Sequence, residues 1–131
     1  MRPIIPADVA SLLVDPSAHA DSRIHEAHAW LRENQPLGIA EAEGYDPFWA
    51  VTRHSDILEI SRRNAEFGNA DGSVTLVNAE TVRLVREMTG GSGNFIRMLI
   101  HMDQPDHLKY RLLTQNWFMP KNIAKLEGDI R

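Results

Sequence analysis

A histidine and an arginine four residues apart are the side chains of this sequence best suited to binding an anion. His107 and Arg111 lie in the stretch His101–Phe118, and on a helix with about 100° per residue they share one side. Apolar residues flank the pair, namely Leu108 and Leu112 on one side and Tyr110, Leu113 and Trp117 on the other. The pattern therefore predicts that the two cationic side chains face inward.

An inward guanidinium needs a partner, because an unpaired buried charge costs several kcal/mol. No acidic residue of the same helix shares the face of Arg111. The residue types alone allow two interpretations of Arg111. Either a carboxylate elsewhere in the fold pairs the arginine, or both side chains hold an anionic ligand, for which the forked guanidinium suits a carboxylate.

The residues before His107 predict where this helix begins. Asp103 can cap its first turn, Pro105 fits there because its missing N–H has no helical partner, and Asp106 complements the helix dipole. We therefore expect a helix over about 104–117. Pro120 then opens a further helical pattern that runs to the end of the sequence.

The whole stretch resembles the C-helix of the soluble bacterial cytochromes P-450, the haem-thiolate monooxygenases. The resemblance is carried by Met102, Asp103, Pro105, His107, Arg111, Phe118 and Pro120. It implies a haem b cofactor whose propionates are bound by His107 and Arg111. Glu43–Pro47, Met88–Gly91 and Asn116–Phe118 look closest to the terpineol-hydroxylating type within the family.

The remaining elements predict a mainly α fold with one small β-sheet. Helices are expected near 22–34, 55–63, 78–88 and 120–131, and two strands near 37–42 and 48–52. The proposed caps are Asp21 or Ser22, Ser55 or Asp56, and Asn78. Residues 1–20 are expected to form an arm with a helical turn on the domain surface.

The same order of elements resembles the N-terminal part of the family's fold. It would correspond to helices A, B, B′ and C and the start of the next helix, with a two-strand hairpin. Residues 1–131 would then be the N-terminal portion of a single domain, with the B–C loop over about 68–102 and the C-helix over about 104–117. The last helical pattern stops without a cap, which is typical of a truncated protein.

Composition excludes several other functions. The chain has no cysteine, so it can hold neither a disulfide nor a thiolate ligand, and its net charge of −4 argues against nucleic-acid binding. His25 and His28 lack the further ligands that a metal site needs, and the glycines of 89–94 lack the lysine of a phosphate loop. No apolar run reaches the length of a membrane span and no signal peptide begins the chain, so we expect a cytoplasmic protein.

The resemblance and the charge pattern together suggest partners. Residues 107–131 carry a balance of +3, against −7 for residues 1–106, so a basic surface with Lys109, Lys121 and Lys125 is expected to receive an acidic ferredoxin. The resemblance implies that Met88, Phe95, Ile96, Leu99 and Ile100 of the B–C loop contact a small hydrophobic substrate, terpenoid-like or similar.

The axial cysteine of this family lies downstream of the part that the chain resembles. We therefore expect the whole protein to hydroxylate its substrate with O2 and ferredoxin electrons, and the 131 residues alone to be inactive and to self-associate. The alternative is a haem-free helical binding module in which His107 and Arg111 meet a protein carboxylate.

Overall fold

The computed structural model describes residues 2–70 and 72–130, apart from the side chain of Asp129. Within them the chain is mostly helical with one two-stranded antiparallel sheet, which confirms the expected fold class. The helices are α1 (Ala7–Val14), α2 (Pro16–Ala20), α3 (Ile24–Asn34), α4 (His54–Arg62), α5 (Ala79–Thr89), α6 (Asp106–Gln115) and α7 (Pro120–Ile130). The strands are β1 (Leu37–Ala40) and β2 (Phe48–Val51), and short 3-10 turns span Leu99–His101 and Asn116–Phe118.

The N-terminal segment pairs with the sheet. The N–H of Ile5 donates to the carbonyl of Ile39 at 2.9 Å, and the N–H of Ile39 donates to the carbonyl of Pro3 at 2.8 Å. Gly38 makes this close approach possible, because a Cβ there would lie 2.7 Å from Cγ1 of Ile5. The start of the chain is thus held against β1 before α1 begins.

The core lies between α1, α3 and one face of the sheet. Its buried members are Ile5, Val9, Ala10, Ala27, Leu31 and Ala40. Small residues at several of these positions let α1 and α3 pack closely against each other and against the strands. The opposite face of the sheet and most of α4 to α7 lie outside this core.

The prediction for residues 1–20 was wrong. They form two helices, and α1 supplies Val9 and Ala10 to the core instead of lying as an arm on the surface. The signal for α2 was present in the sequence, because the Asp15 carboxylate accepts from the N–H of Ser17 at 2.8 Å and Pro16 occupies the first helical turn.

Of the caps predicted for α3, α4 and α5, one is confirmed and two are wrong. Asn78 caps α5 by accepting from the N–H of Thr81 at 2.8 Å. At α3 the Asp21 carboxylate instead bonds Arg23, which precedes the helix. At α4 the Ser55 hydroxyl donates to the Asp56 carboxylate, and the helix begins before both residues. In both cases the side chain that was expected to cap the helix bonds a neighbouring polar side chain instead.

No helix in the described part of the chain is long and apolar enough to cross a lipid bilayer.

The buried position of Leu31 makes a direct test of this core. Leu31→Ala should lower the free energy of unfolding by about 2–5 kcal/mol, because the side chain is fully buried and its loss leaves a cavity. Leu84→Ala is the matched control: Leu84 is also helical but 52% exposed, and it should cost about 0.5 kcal/mol or less. Urea unfolding followed by circular dichroism measures both, and equal losses would contradict the assignment of the core.

Candidate functional site

Helix α6 carries the predicted pair, and Asp103 fixes the chain just before it. The Asp103 carboxylate accepts from the N–H of Asn69 at 2.8 Å and from the N–H of Ala70 at 2.9 Å. These bonds, and to a lesser degree the charge of His107, lower the pKa of Asp103 below its ordinary value of 3.8. Asp103 therefore closes the long loop between residues 69 and 103, and the prediction that its side chain caps α6 was wrong.

A glycine makes room for this carboxylate. A Cβ at Gly68 would lie 2.7 Å from Oδ2 of Asp103, so a side chain there would push the acid away from the two amides. The Asp103 carbonyl also accepts from the N–H of His107 at 2.9 Å. The loop closure and the first turn of α6 thus share one residue.

His107 and Arg111 lie on one side of α6 and line two neighbouring open pockets. His107 is half-buried and lines a cavity of about 450 Å³, whereas Arg111 is exposed and lines one of about 380 Å³. Leu99 lines both cavities. Sequence reasoning did not identify the polar residues that share the pocket of His107, which are Asn64, Asn69 and Gln104.

The described chain does not bury the side of α6 that the sequence pattern predicted to face inward. Arg111 is exposed, and the apolar flanks are too, with Leu113 at 74% and Trp117 at 76% exposure. Helical geometry puts these residues on neighbouring positions of α6, but their apolar side chains stay exposed in the described chain. Among the side chains that the structure describes, no carboxylate lies within ion-pairing distance of the guanidinium of Arg111.

A second acid links the loop to the other side of α6. The Asp106 carboxylate accepts from Nη2 of Arg97 at 2.6 Å and from Nζ of Lys109 at 3.2 Å. The hydrogen bond from Arg97, followed by that from Lys109, lowers the pKa of Asp106. Arg97 and Lys109 are largely solvent-exposed and Asp106 is partly so, and such ion pairs contribute little to stability.

The residues expected to contact a substrate are divided between a pocket and open surface. Leu99 and Ile100 line the cavity that also holds His107. Met88, Phe95 and Ile96 lie outside that cavity and are each more than 60% exposed. The structure therefore brings two of the five together with His107 and leaves three on the surface.

The three lysines expected on a partner surface are all exposed. Lys109 lies on α6, and Lys121 and Lys125 lie on α7. Among the residues with described positions, no group of three or more histidine, aspartate or glutamate side chains could hold a metal ion.

Known proteins resemble this chain in sequence. Over 131 residues the chain is 42% identical to cytochrome P450-terp from a Pseudomonas species, covering 99% of this chain and 31% of that protein. It is 29% identical over 121 residues to linalool 8-monooxygenase from Pseudomonas putida, covering 91% of this chain and 29% of that protein. No family model matches the chain.

The fold agrees as well. The crystal structure of CYP108D1 from Novosphingobium aromaticivorans superposes with a TM-score of 0.90 at 34% identity, covering 98% of this chain and 32% of that one. A cytochrome P450 from Mycobacterium marinum, in complex with pseudoionone, superposes with a TM-score of 0.65 at 25% identity, over 99% and 30% of the two chains.

The chain thus corresponds in sequence and fold to the N-terminal part of a haem monooxygenase fold. That fold is the cytochrome P450 fold, as the resemblance of the His101–Phe118 stretch indicated. It spans about a third of the length of the relatives that it matches.

The loop closure by Asp103 predicts a dependence of stability on pH. Because the folded-state pKa is depressed, the stabilisation by the carboxylate is fully present above pH 3.8 and is lost as the pH falls through the lower, folded-state pKa. Asp103→Asn should therefore unfold at lower urea concentration than the parent near neutral pH, and the difference should shrink as the pH falls well below 3.8.

Gly68→Ala should reproduce the loss near neutral pH, because the added Cβ displaces the same carboxylate. A difference between Asp103→Asn and the parent that stays constant with pH would contradict the role of the ionised acid.

Proposed function

We propose that the chain is the N-terminal part of a haem-thiolate monooxygenase that hydroxylates a small hydrophobic substrate. In this proposal O2 and electrons from a ferredoxin drive the reaction in the whole protein. His107 and Arg111 bind the propionates of haem b, the B–C loop contacts the substrate, and the lysines of α6 and α7 receive the electron donor.

The main support for the proposal is the environment of Arg111. The guanidinium lacks a carboxylate partner among the described residues, yet it lies on a helix whose neighbouring side chains are apolar and exposed. A large, mostly apolar group bearing carboxylates complements both features at once. In the haem-free binding module a protein carboxylate would take this place, and among the described side chains of this chain none pairs with Arg111.

The residues present fit one side of a haem and not its iron. His107 and Arg111 are four residues apart on α6 and offer hydrogen-bond donors to two neighbouring anionic groups. When bound, the haem would supply the oxygen-activating chemistry, which in a haem-thiolate enzyme also needs a cysteine thiolate. This chain has no cysteine, so its own contribution is to hold and orient the cofactor.

The substrate class rests on the loop and on the names of the relatives. Leu99 and Ile100 line a pocket beside His107, and the exposed Met88, Phe95 and Ile96 offer further apolar surface on the same loop and on α5. Linalool, the substrate in the name of one relative, is a small hydrophobic alcohol. A terpenoid-like substrate for this protein is in keeping with both.

The 131 residues alone are inactive in this proposal, because they lack the thiolate. Many large apolar side chains of the chain are exposed, including most of those on α6 and in the turn that follows it. Contiguous apolar surface of this kind rarely stays bare in water. We therefore expect the isolated chain to self-associate.

Haem retention tests the proposed site. In the protein encoded by the reading frame that contains this chain, Arg111→Ala should weaken haem binding by about 2–5 kcal/mol, because it leaves a propionate unpaired in an apolar setting. The variant should then lose haem to an acceptor protein more than about tenfold faster than the parent does.

His107→Ala should accelerate haem loss less than Arg111→Ala, since a guanidinium presents a fork of N–H donors to a carboxylate and an imidazole offers only its two ring nitrogens. Arg83→Ala, which removes an exposed arginine from α5, is the matched control and should leave the rate unchanged. If Arg111→Ala loses haem no faster than Arg83→Ala, the pair is structural and the propionate assignment is wrong.

The electron-donor surface has a kinetic test. Lys109→Glu should slow association with an acidic ferredoxin and reduce the salt dependence of its rate, because a rim charge acts mainly by steering. Substrate affinity should not change. Stopped-flow reduction at low salt measures the effect, and Arg32→Glu on α3 is the matched charge reversal; equal rates for both variants would place the docking surface elsewhere.

A further inference from the structure

Two segments of the long loop form the wall of the cavity beside His107. The first segment comprises residues 69–70 and 72–74, and the second segment comprises residues 94–103. Both contribute side chains to the wall, namely Asn69 and Val74 from the first segment and Leu99, Ile100 and Met102 from the second. The width of the cavity therefore depends on how the two segments are held together.

Side chains of the second segment hold the first segment at two points. The carboxylate of Asp103 accepts from the N–H groups of Asn69 and Ala70. The side-chain amide of Asn94 donates to the carbonyl of Gly72 at 3.0 Å, and both of these residues are half-buried. The first segment is thus held at its start by a carboxylate and two residues further on by an amide.

The two contacts differ in strength and in what they position. Asp103 accepts charge-assisted hydrogen bonds, which are roughly twice as strong as the neutral bond that Asn94 donates. The carbonyl of Asp103 also accepts from the N–H of His107, so this contact fixes the loop at the proposed haem-binding end of α6. Gly72 lies two residues before Val74, so the contact of Asn94 fixes the part of the first segment that contributes Val74 to the wall.

The second segment has further contacts that do not involve the amide of Asn94. Nη2 of Arg97 donates to the carboxylate of Asp106 on α6 at 2.6 Å. The hydroxyl of Ser92 donates to the carbonyl of Asn94 at 3.0 Å, and the hydroxyl of Thr89, at the end of α5, donates to the carbonyl of Ser92 at 2.6 Å. Loss of the Asn94 amide therefore releases the first segment and leaves the second in place.

We propose that Asn94 is a positioning residue that sets the size of the hydrophobic group accepted by this cavity. Its amide keeps Val74 at a fixed separation from Leu99 and Ile100. Without that bond this part of the first segment moves outwards, while Asp103 still holds the start of the segment. The inference rests on the proposed function, because the hydrophobic group is the substrate of the haem enzyme.

Three variants isolate the contribution of the amide. Asn94→Ala removes it, and Asn94→Asp keeps the size of the side chain but puts a carboxylate oxygen, which cannot donate, opposite the carbonyl of Gly72. Asn34→Ala is the matched control. The side-chain amide of Asn34 also donates to a backbone carbonyl, that of Trp30 at 2.9 Å, but this bond lies within α3 and outside the cavity.

Two imidazoles of different size test the proposal, one bearing a phenyl ring and the other a biphenyl group. Both bind a haem iron through the same ring nitrogen. Their binding to the protein encoded by the reading frame that contains this chain is followed by the shift of the haem absorption band. In Asn94→Ala and Asn94→Asp the ratio of the two dissociation constants should change by about two- to tenfold in favour of the larger probe, because a hydrogen bond no longer holds the wall.

The controls separate positioning from a general loss of structure. Asn34→Ala should keep the ratio of the parent, and all three variants should lose haem to an acceptor protein at the rate of the parent. Equal loss of affinity for both probes in Asn94→Ala, or an unchanged ratio with faster haem loss, would overturn the role of Asn94. A parent protein that gives no band shift with either probe would contradict the proposed haem enzyme and this inference with it, so the two failures are distinguishable.

Discussion

The pairing of residues 3–5 with β1 is the constraint on which the ordered core depends. Two backbone hydrogen bonds at Ile39 hold the N-terminal segment against the sheet, and α1 follows directly, so that Val9 and Ala10 meet Leu31 of α3. Gly38 permits the approach because it has no Cβ. Without this contact the two-stranded sheet would lack its only backbone partner among the described residues, and a lone two-stranded hairpin is marginal in water.

The elements in the second half of the chain are positioned by polar side-chain contacts and not by a buried core. Of the residues on α4 to α7 whose burial is described, only Val85 is a buried hydrophobic residue. Asp103 joins the two ends of the long loop, and Asp106 joins Arg97 to α6. These hydrogen bonds orient the elements without burying their apolar faces. Helix α6 therefore presents His107 and Arg111 together with apolar surface. That combination suits a large ligand or further protein, as the proposed haem enzyme requires.

Local signals in the sequence predicted most elements because periodicity and caps act over a few residues. The hairpin, α5 with its Asn78 cap and α6 follow from such signals. The N-terminal helices were missed because three prolines suggested an arm, whereas burial against α3 decided the outcome. The role of Asp103 could not be predicted, since its partners are 34 and 33 residues away. The helical period put His107 and Arg111 on one side of α6. The exposure of that side depends on what packs against it, which the sequence of one helix cannot reveal.

The central claim is that these residues begin a haem-thiolate enzyme, and the carbon-monoxide difference spectrum tests it most directly. The reduced protein from the reading frame that contains this chain should show the band typical of thiolate-ligated haem. The 131 residues mixed with haemin should not show it, because they contain no cysteine. Absence of that band from the protein encoded by the whole frame, or its presence with the 131 residues alone, would contradict the account.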